Sequence, residues 1–186
     1  MALNSSYPKA KLYADSPMIA NGCRNCEAWE VKDIIYAVGC LKSGALKSLW
    51  MVYGNIYAAE QGIYERIKST ISQGINTIPD VEFSETKELG RVNRVDPLGI
   101  TNLRIRGMWS IQNPRKVFKY IYPQTDKNTF ELVCILPDSK YYSFDPEDIA
   151  LLESINEEGF SITNKKILDP NNPAHLIDVK LITYCL

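Results

Sequence analysis

Three residues near the middle of the chain have the types that many metal-dependent nucleases use to cut phosphodiesters. Asp80, Glu85 and Lys87 stand in the stretch Pro79-Asp80-Val81-Glu82-Phe83-Ser84-Glu85-Thr86-Lys87. In that chemistry two carboxylates hold Mg²⁺ against the scissile phosphate, while the lysine helps activate water or stabilises the developing charge. The residue types suit the task, but the spacing does not. On one continuous strand, residues five apart point to opposite faces, and the four residues between them are too few for two paired strands and a turn. The stretch therefore also reads as a polar loop leading into a basic segment.

That segment is a run of cations. Residues 87 to 119 carry eight basic side chains (Lys87, Arg91, Arg94, Arg104, Arg106, Arg115, Lys116, Lys119) against two acidic ones (Glu88, Asp96), a local balance of +6 in a chain of formal net charge −1. Residues 1 to 86 hold eight basic and nine acidic side chains, and residues 120 to 186 hold five and eleven, so the positive charge is confined to one segment. Five of the eight cations are arginines, whose planar fork suits bidentate contact with phosphate or a guanine edge better than an ammonium does. A polyanion is the natural partner, with Lys87, Arg91, Arg94, Arg104, Arg106 and Arg115 as the candidate contacts. A solvated, salt-bridged face answering the acidic C-terminal third is the competing reading.

Other reactive residue types are sparse. Cys23-Arg24-Asn25-Cys26 is half of a possible zinc site, but His175 is the sole histidine, and Cys40, Cys134 and Cys185 fall in apolar, strand-like runs. Buried or loop thiols are the better reading. His175 has no carboxylate or nucleophile paired with it in sequence and reads as a loop or strand-edge residue, so nothing supports a Ser-His-Asp or Cys-His hydrolase.

Periodicity predicts the elements that must position these residues. At 186 residues, with 45% hydrophobic and 23% charged side chains and no repeat, the chain reads as one soluble globular domain. No apolar run approaches the length of a membrane span, and the N-terminus lacks a signal-peptide pattern, which places the protein in the cytoplasm with reduced thiols. Residues 1 to 20, interrupted by Pro8 and Pro17, show no amphipathic period. Residues 31 to 41 and 46 to 53 are rich in β-branched and aromatic residues around Lys42-Ser43-Gly44, which predicts a hairpin. Ile63, Ile67, Ile71 and Ile75 then recur every four residues, predicting an amphipathic helix that ends near Gly74 to Pro79 and packs its isoleucines in the core. After irregular backbone over 91 to 99, Thr101 to Ile111 alternates, with Leu103 and Ile105 on one face and Asn102, Arg104 and Arg106 on the other. Asn113-Pro114 caps a short helix that carries Arg115, Lys116 and Lys119. Phe130–Leu136, Phe160–Leu168 and Leu176–Cys185 read as strands, and Asp145 as the N-cap of a helix running through Ile155.

With these blocks in place, the chain resembles a known family. Ala2 to Lys9, Lys32 to Gly39, Leu49 to Gly54 and above all Glu85 to Trp109 are similar to the C-terminal two thirds of NgoPII-type type II restriction endonucleases, with similarity over nearly all of residues 2 to 122. The resemblance implies a Mg²⁺-dependent cutter of double-stranded DNA at GGCC, acting as a homodimer on a palindrome. It implies an α/β (α+β) fold with a restriction-endonuclease-like mixed sheet flanked by helices. Within a single domain over 1–186, residues 1–122 would be the family-like core, with the DNA-facing segment at 85–119, and 123–186 an acidic α/β portion. In the family pattern the Pro-Asp and Glu-x-Lys catalytic pair precedes the segment matching Ala2 to Lys9. The resemblance therefore implies a catalytic centre upstream of Met1, a truncated or split enzyme inactive by itself, and a sheet incomplete at its N-terminal edge and prone to instability or association. Asp80, Glu85 and Lys87 remain the in-chain alternative, and a non-catalytic DNA-binding or assembly subunit is the alternative function.

Overall fold

The computed structural model describes residues 1–3, 6–16, 28–86, 88–123 and 129–186. Its strands are, in chain order, β1 (Ala2–Leu3), β2 (Lys11–Tyr13), β3 (Val31–Asp33), β4 (Ile35–Lys42), β5 (Ala45–Tyr53) and β6 (Glu82–Phe83). The later strands are β7 (Gly90–Asn93), β8 (Leu103–Ile105), β9 (Trp109–Ser110), β10 (Glu131–Pro137), β11 (Phe160–Leu168) and β12 (Leu176–Cys185). The helices are α1 (Gln61–Ile75), α2 (Pro114–Val117), α3 (Asp138–Tyr141) and α4 (Pro146–Glu153). Two compact units result, one of residues 1–8 and 60–111, the other of residues 9–59 and 112–186. None of the described helices is long and apolar enough to cross a membrane.

The larger unit is built on a five-stranded mixed sheet of order β11-β12-β10-β5-β4, the mixed α/β arrangement expected. Only the β10–β5 pair is parallel, and the other three neighbours are antiparallel. Period-2 alternation sends Trp50 and Val52 of β5, Val133 and Ile135 of β10, and Val179 and Leu181 of β12 into one buried layer. Burying each such side chain contributes about 1.5–3 kcal/mol. The predicted hairpin is present as β4 and β5, turned by Ser43 and Gly44, both at positive φ (52° and 78°) as a two-residue type I′ turn requires. The strand predicted from residue 31 is interrupted at Ile34, whose carbonyl accepts from the Gly54 N–H at 2.7 Å, and β3 turns away to pair with β2. Strands β10, β11 and β12 match their predicted segments, and His175 lies in the turn joining the last two. Asp145 caps α4 through the Glu147 N–H at 2.9 Å, but the helix ends at Glu153, short of Ile155.

The smaller unit holds β1 paired with β9, the helix α1, and a three-stranded antiparallel sheet β6-β7-β8. Tyr7, Tyr64 and Trp109 pack as an aromatic trio with ring centroids 5.3 to 6.0 Å apart. Burial, with Glu65 accepting the phenol proton at 3.1 Å, pushes the Tyr7 hydroxyl up to about 12. Because Tyr64 anchors α1, the half-buried face of the helix is Tyr64, Lys68, Ser72 and Ile75. Ile63, Ile67 and Ile71, expected in the core, are instead exposed. The stripe lies one residue position, or about 100° of helix, from the face that packs. Ile75 alone of the four is half-buried, its Cγ2 lying 3.0 Å from where a Cβ on Gly90 would stand. Two other expectations also change. Among the described residues of 1–20 there are two short strands, and the strand predicted over 101 to 111 breaks into β8 and β9 at Arg106-Gly107-Met108, where a Cβ on Gly107 would stand 3.1 Å from Leu89.

Candidate nucleic-acid interface

The basic residues are carried mainly by the β7–β8 hairpin and its flanks. In the β7–β8 register Arg91 lies opposite Arg104, with Gly90 opposite Ile105 and Val92 opposite Leu103. Val92 is buried and Arg91 and Arg104 are exposed, so alternation puts the guanidinium groups on the solvent face. Like charges directly opposite in a sheet destabilise it. The counter-charge is Glu88, whose carboxylate accepts from Arg104 Nε at 3.0 Å and Nη2 at 2.9 Å, and also from Arg106 Nε. The Arg104 hydrogen bond, reinforced by Arg106, holds the Glu88 carboxyl below the usual glutamate range. Glu88 is itself tucked in, and both arginine side chains remain largely open to solvent, oriented and partly neutralised by it.

Arg94 closes the strand end. Its backbone is left-handed (φ 53°), its N–H donates to Asn102 Oδ1 at 3.2 Å, and its guanidinium lies 3.6 Å from Glu82. Beyond it the chain makes a turn with Asp96, Pro97, Leu98 and Gly99 in sequence, the Gly99 N–H donating to the Asp96 carbonyl at 2.8 Å. Asp first, Pro second and Gly fourth are the preferred residues of a type I turn. The Asp96 carboxylate then accepts from the N–H groups of Leu98 (3.0 Å), Ile100 (3.1 Å) and Thr101 (2.6 Å). The Thr101 side chain, and after it these backbone bonds, lower its pKa. Gly99 (φ +70°) is required because L side chains avoid that conformation; a Cβ there would lie 2.7 Å from Arg94 Nε, the end of a long exposed side chain that can move aside. Four guanidinium groups thus stand on one hairpin against the carboxylates of Glu82 and Glu88.

The remaining candidates are placed differently. Arg115 belongs to the other unit and is inward-facing: its Nη2 lies 3.2 Å from Glu131 Oε1, and the side chains are 22% and 4% exposed. Trp50 Nε1 donates to the same oxygen at 3.4 Å. The N-cap expected at Asn113 is present, its Oδ1 accepting from the Arg115 N–H at 3.0 Å. Asp80 sits in a left-handed turn (φ 60°) before β6, and Glu85 is exposed just after it, so the two-residue strand separates them. Lys87, Cys23 and Cys26 lie outside the described residues. Among the described residues no three His, Cys, Asp or Glu side chains are grouped to hold a metal ion. Asp80 and Glu85 thus stand at opposite ends of β6 rather than side by side on one strand.

Sequence reasoning passed over Glu88 and Asp96. Nothing local signals Glu88, which meets its partners 16 and 18 residues away. The Asp-Pro-Leu-Gly order does signal Asp96, as a turn.

A family model described as NgoPII restriction endonuclease matches residues 1–168. The type II restriction enzyme NgoPII of Neisseria gonorrhoeae is 49% identical over 187 residues, an alignment that covers 100% of this chain and 66% of that protein. The chain thus spans just under two thirds of that relative's length. No solved structure matches.

Proposed function

This chain belongs to the NgoPII restriction endonuclease family, and from that premise we propose that it acts in site-specific recognition and cleavage of double-stranded DNA, with GGCC as the site. The observation that carries the reading is the β7–β8 hairpin, which pairs Arg91 with Arg104 on its solvent face and carries Arg94 and Arg106 exposed just beyond its strands. Every base pair of GGCC offers a guanine O6 and N7 in the major groove, the edge that an arginine fork recognises best. Arginines of this face that do not reach a base hold phosphates, fixing register without reading sequence. A palindromic site calls for two equivalent hairpins, hence a homodimer. Mg²⁺ is the cation proposed for cleavage. Asp80 and Glu85 stand at opposite ends of β6, and the catalytic role is assigned to neither.

The test is a pair of labelled duplexes, one with a single GGCC site and one without, incubated with the full chain in Mg²⁺ and resolved for cleaved and retarded species. Cleavage or retention confined to the GGCC duplex is expected. Retention without cleavage selects a DNA-binding or assembly subunit instead, and neither retention nor cleavage overturns the proposal.

A further inference from the structure

The tip of the basic hairpin is apolar. Leu98 is 80% and Ile100 77% exposed, and Pro97 beside them is exposed as well. Single exposed aliphatic residues need no explanation, but these two are presented by a built loop. The type I turn closes at Gly99, the Val95 N–H donates to the Thr101 carbonyl at 2.9 Å across the loop base, and Asp96 ties the backbone of residues 98, 100 and 101. A loop ordered in this way loses little conformational entropy when its side chains are covered.

We infer that Leu98 and Ile100 form an apolar wedge that enters a groove of duplex DNA and presses between bases, while the flanking arginines hold the phosphate walls. The inference rests on the DNA reading proposed above and deepens it. Charge decides the occupant. Arg94 Nε passes 2.7 Å from the position a Gly99 Cβ would occupy, so a guanidinium lies directly beside the apolar tip. An apolar protein partner would have to strip water from that cation, leaving it only the long, exposed contact with Glu82 at 3.6 Å. A nucleic-acid groove offers phosphates at its edges and unstackable bases at its floor, which suits a tip that is aliphatic at its point and cationic at its shoulders. Architectural DNA-binding proteins use Leu, Ile and Pro for this work. The aliphatic side chains carry no charge, so their contribution is independent of counterion release.

The experiment uses the full chain and duplexes with one GGCC site, carrying a fluorescent cytosine analogue that keeps the C·G pairing at successive positions within the site and 2-aminopurine opposite thymine at positions beside it, with binding measured over a range of salt. The wild-type chain is expected to raise the fluorescence at one step as the base unstacks. Leu98→Ala/Ile100→Ala is expected to lose that rise and bind roughly tenfold more weakly, with the slope of log affinity against log salt unchanged. Leu98→Ala alone gives a smaller change of the same kind, and both side chains are exposed enough for the variants to fold. A wild-type chain that binds with no rise at any step overturns the wedge but leaves the DNA reading standing. So does a double variant that binds as tightly as wild type, or whose salt slope falls like that of an arginine variant. If the double variant instead abolishes self-association in the absence of DNA, the tip is a contact between copies and the wedge is overturned. A wild-type chain that binds no duplex removes both readings.

Discussion

Glu88 gives the sharpest test of whether the arginine face meets phosphate. It accepts hydrogen bonds from both Arg104 and Arg106, so the three side chains together present a single net positive charge. Glu88→Gln raises that to two, and Arg104→Ala lowers it to zero. Each charge that meets a phosphate on B-DNA contributes about 0.9 to the slope of log affinity against log salt. Glu88→Gln should therefore steepen the slope by about 0.9 and Arg104→Ala flatten it by the same amount. Over a fourfold rise in salt, from about 50 to 200 mM, a change of this size alters the loss of affinity about 3.5-fold in each direction. Fluorescence anisotropy of a labelled duplex, titrated at four or five salt concentrations, reads it directly. Acid should mimic the glutamine variant. Glu88 has a lowered pKa in the folded protein, so it stays charged down through the ordinary glutamate range and is neutralised only below it. If Glu88→Gln and Arg104→Ala both leave the slope at its wild-type value, the face is a solvated, salt-bridged surface and the phosphate assignment is wrong.

Other perturbations separate structure from binding. Arg115→Ala leaves the Glu131 carboxylate buried without its cation, one oxygen already lacking a partner, and should cost about 3 kcal/mol in denaturant unfolding. The salt slope of DNA binding should not move, and a flattened slope would transfer Arg115 to the binding face. Asp96→Asn should weaken the three backbone hydrogen bonds of the loop and speed amide exchange at Leu98, Ile100 and Thr101. The carboxylate's pKa is depressed on folding, so its contribution is complete above the ordinary aspartate range and is lost as pH falls through the lowered value. Exchange that tracks the ordinary aspartate pKa would contradict this account. Ile67→Glu, on the exposed stripe of α1, should change stability by less than about 1 kcal/mol, and a much larger loss would show the stripe to be covered. Cys134, whose thiol burial pushes up to about 11, should resist thiol reagents at pH 8 in the folded chain and react on unfolding.

The sequence by itself determined the elements whose signals are local. The β4–β5 hairpin needed only two β-rich runs and a Ser-Gly turn. The last two strands were readable because alternation and turn residues bound them within ten residues. Asn113-Pro114 and Asp145-Pro146 announced their helices because a cap is a contact between near neighbours. The basic segment was legible because charge is a sum over residues and needs no coordinates. Tertiary structure decided which of those charges face water. Arg115 counts the same as Arg104 in composition, but Glu131 and Trp50, brought in by strands remote in sequence, draw it inward. The isoleucine period of α1 was real, yet period alone does not say which way a helix is rotated. Tyr64, held by Tyr7 and Trp109, set that rotation one residue away from the stripe. Glu88 acquired its two arginines only when β7 and β8 paired, and Leu98 and Ile100 became a tip only when Asp96 folded the loop beneath them. Charge and periodicity are properties of the chain, whereas facing and partnership depend on contacts between residues far apart in it, which only the folded arrangement supplies.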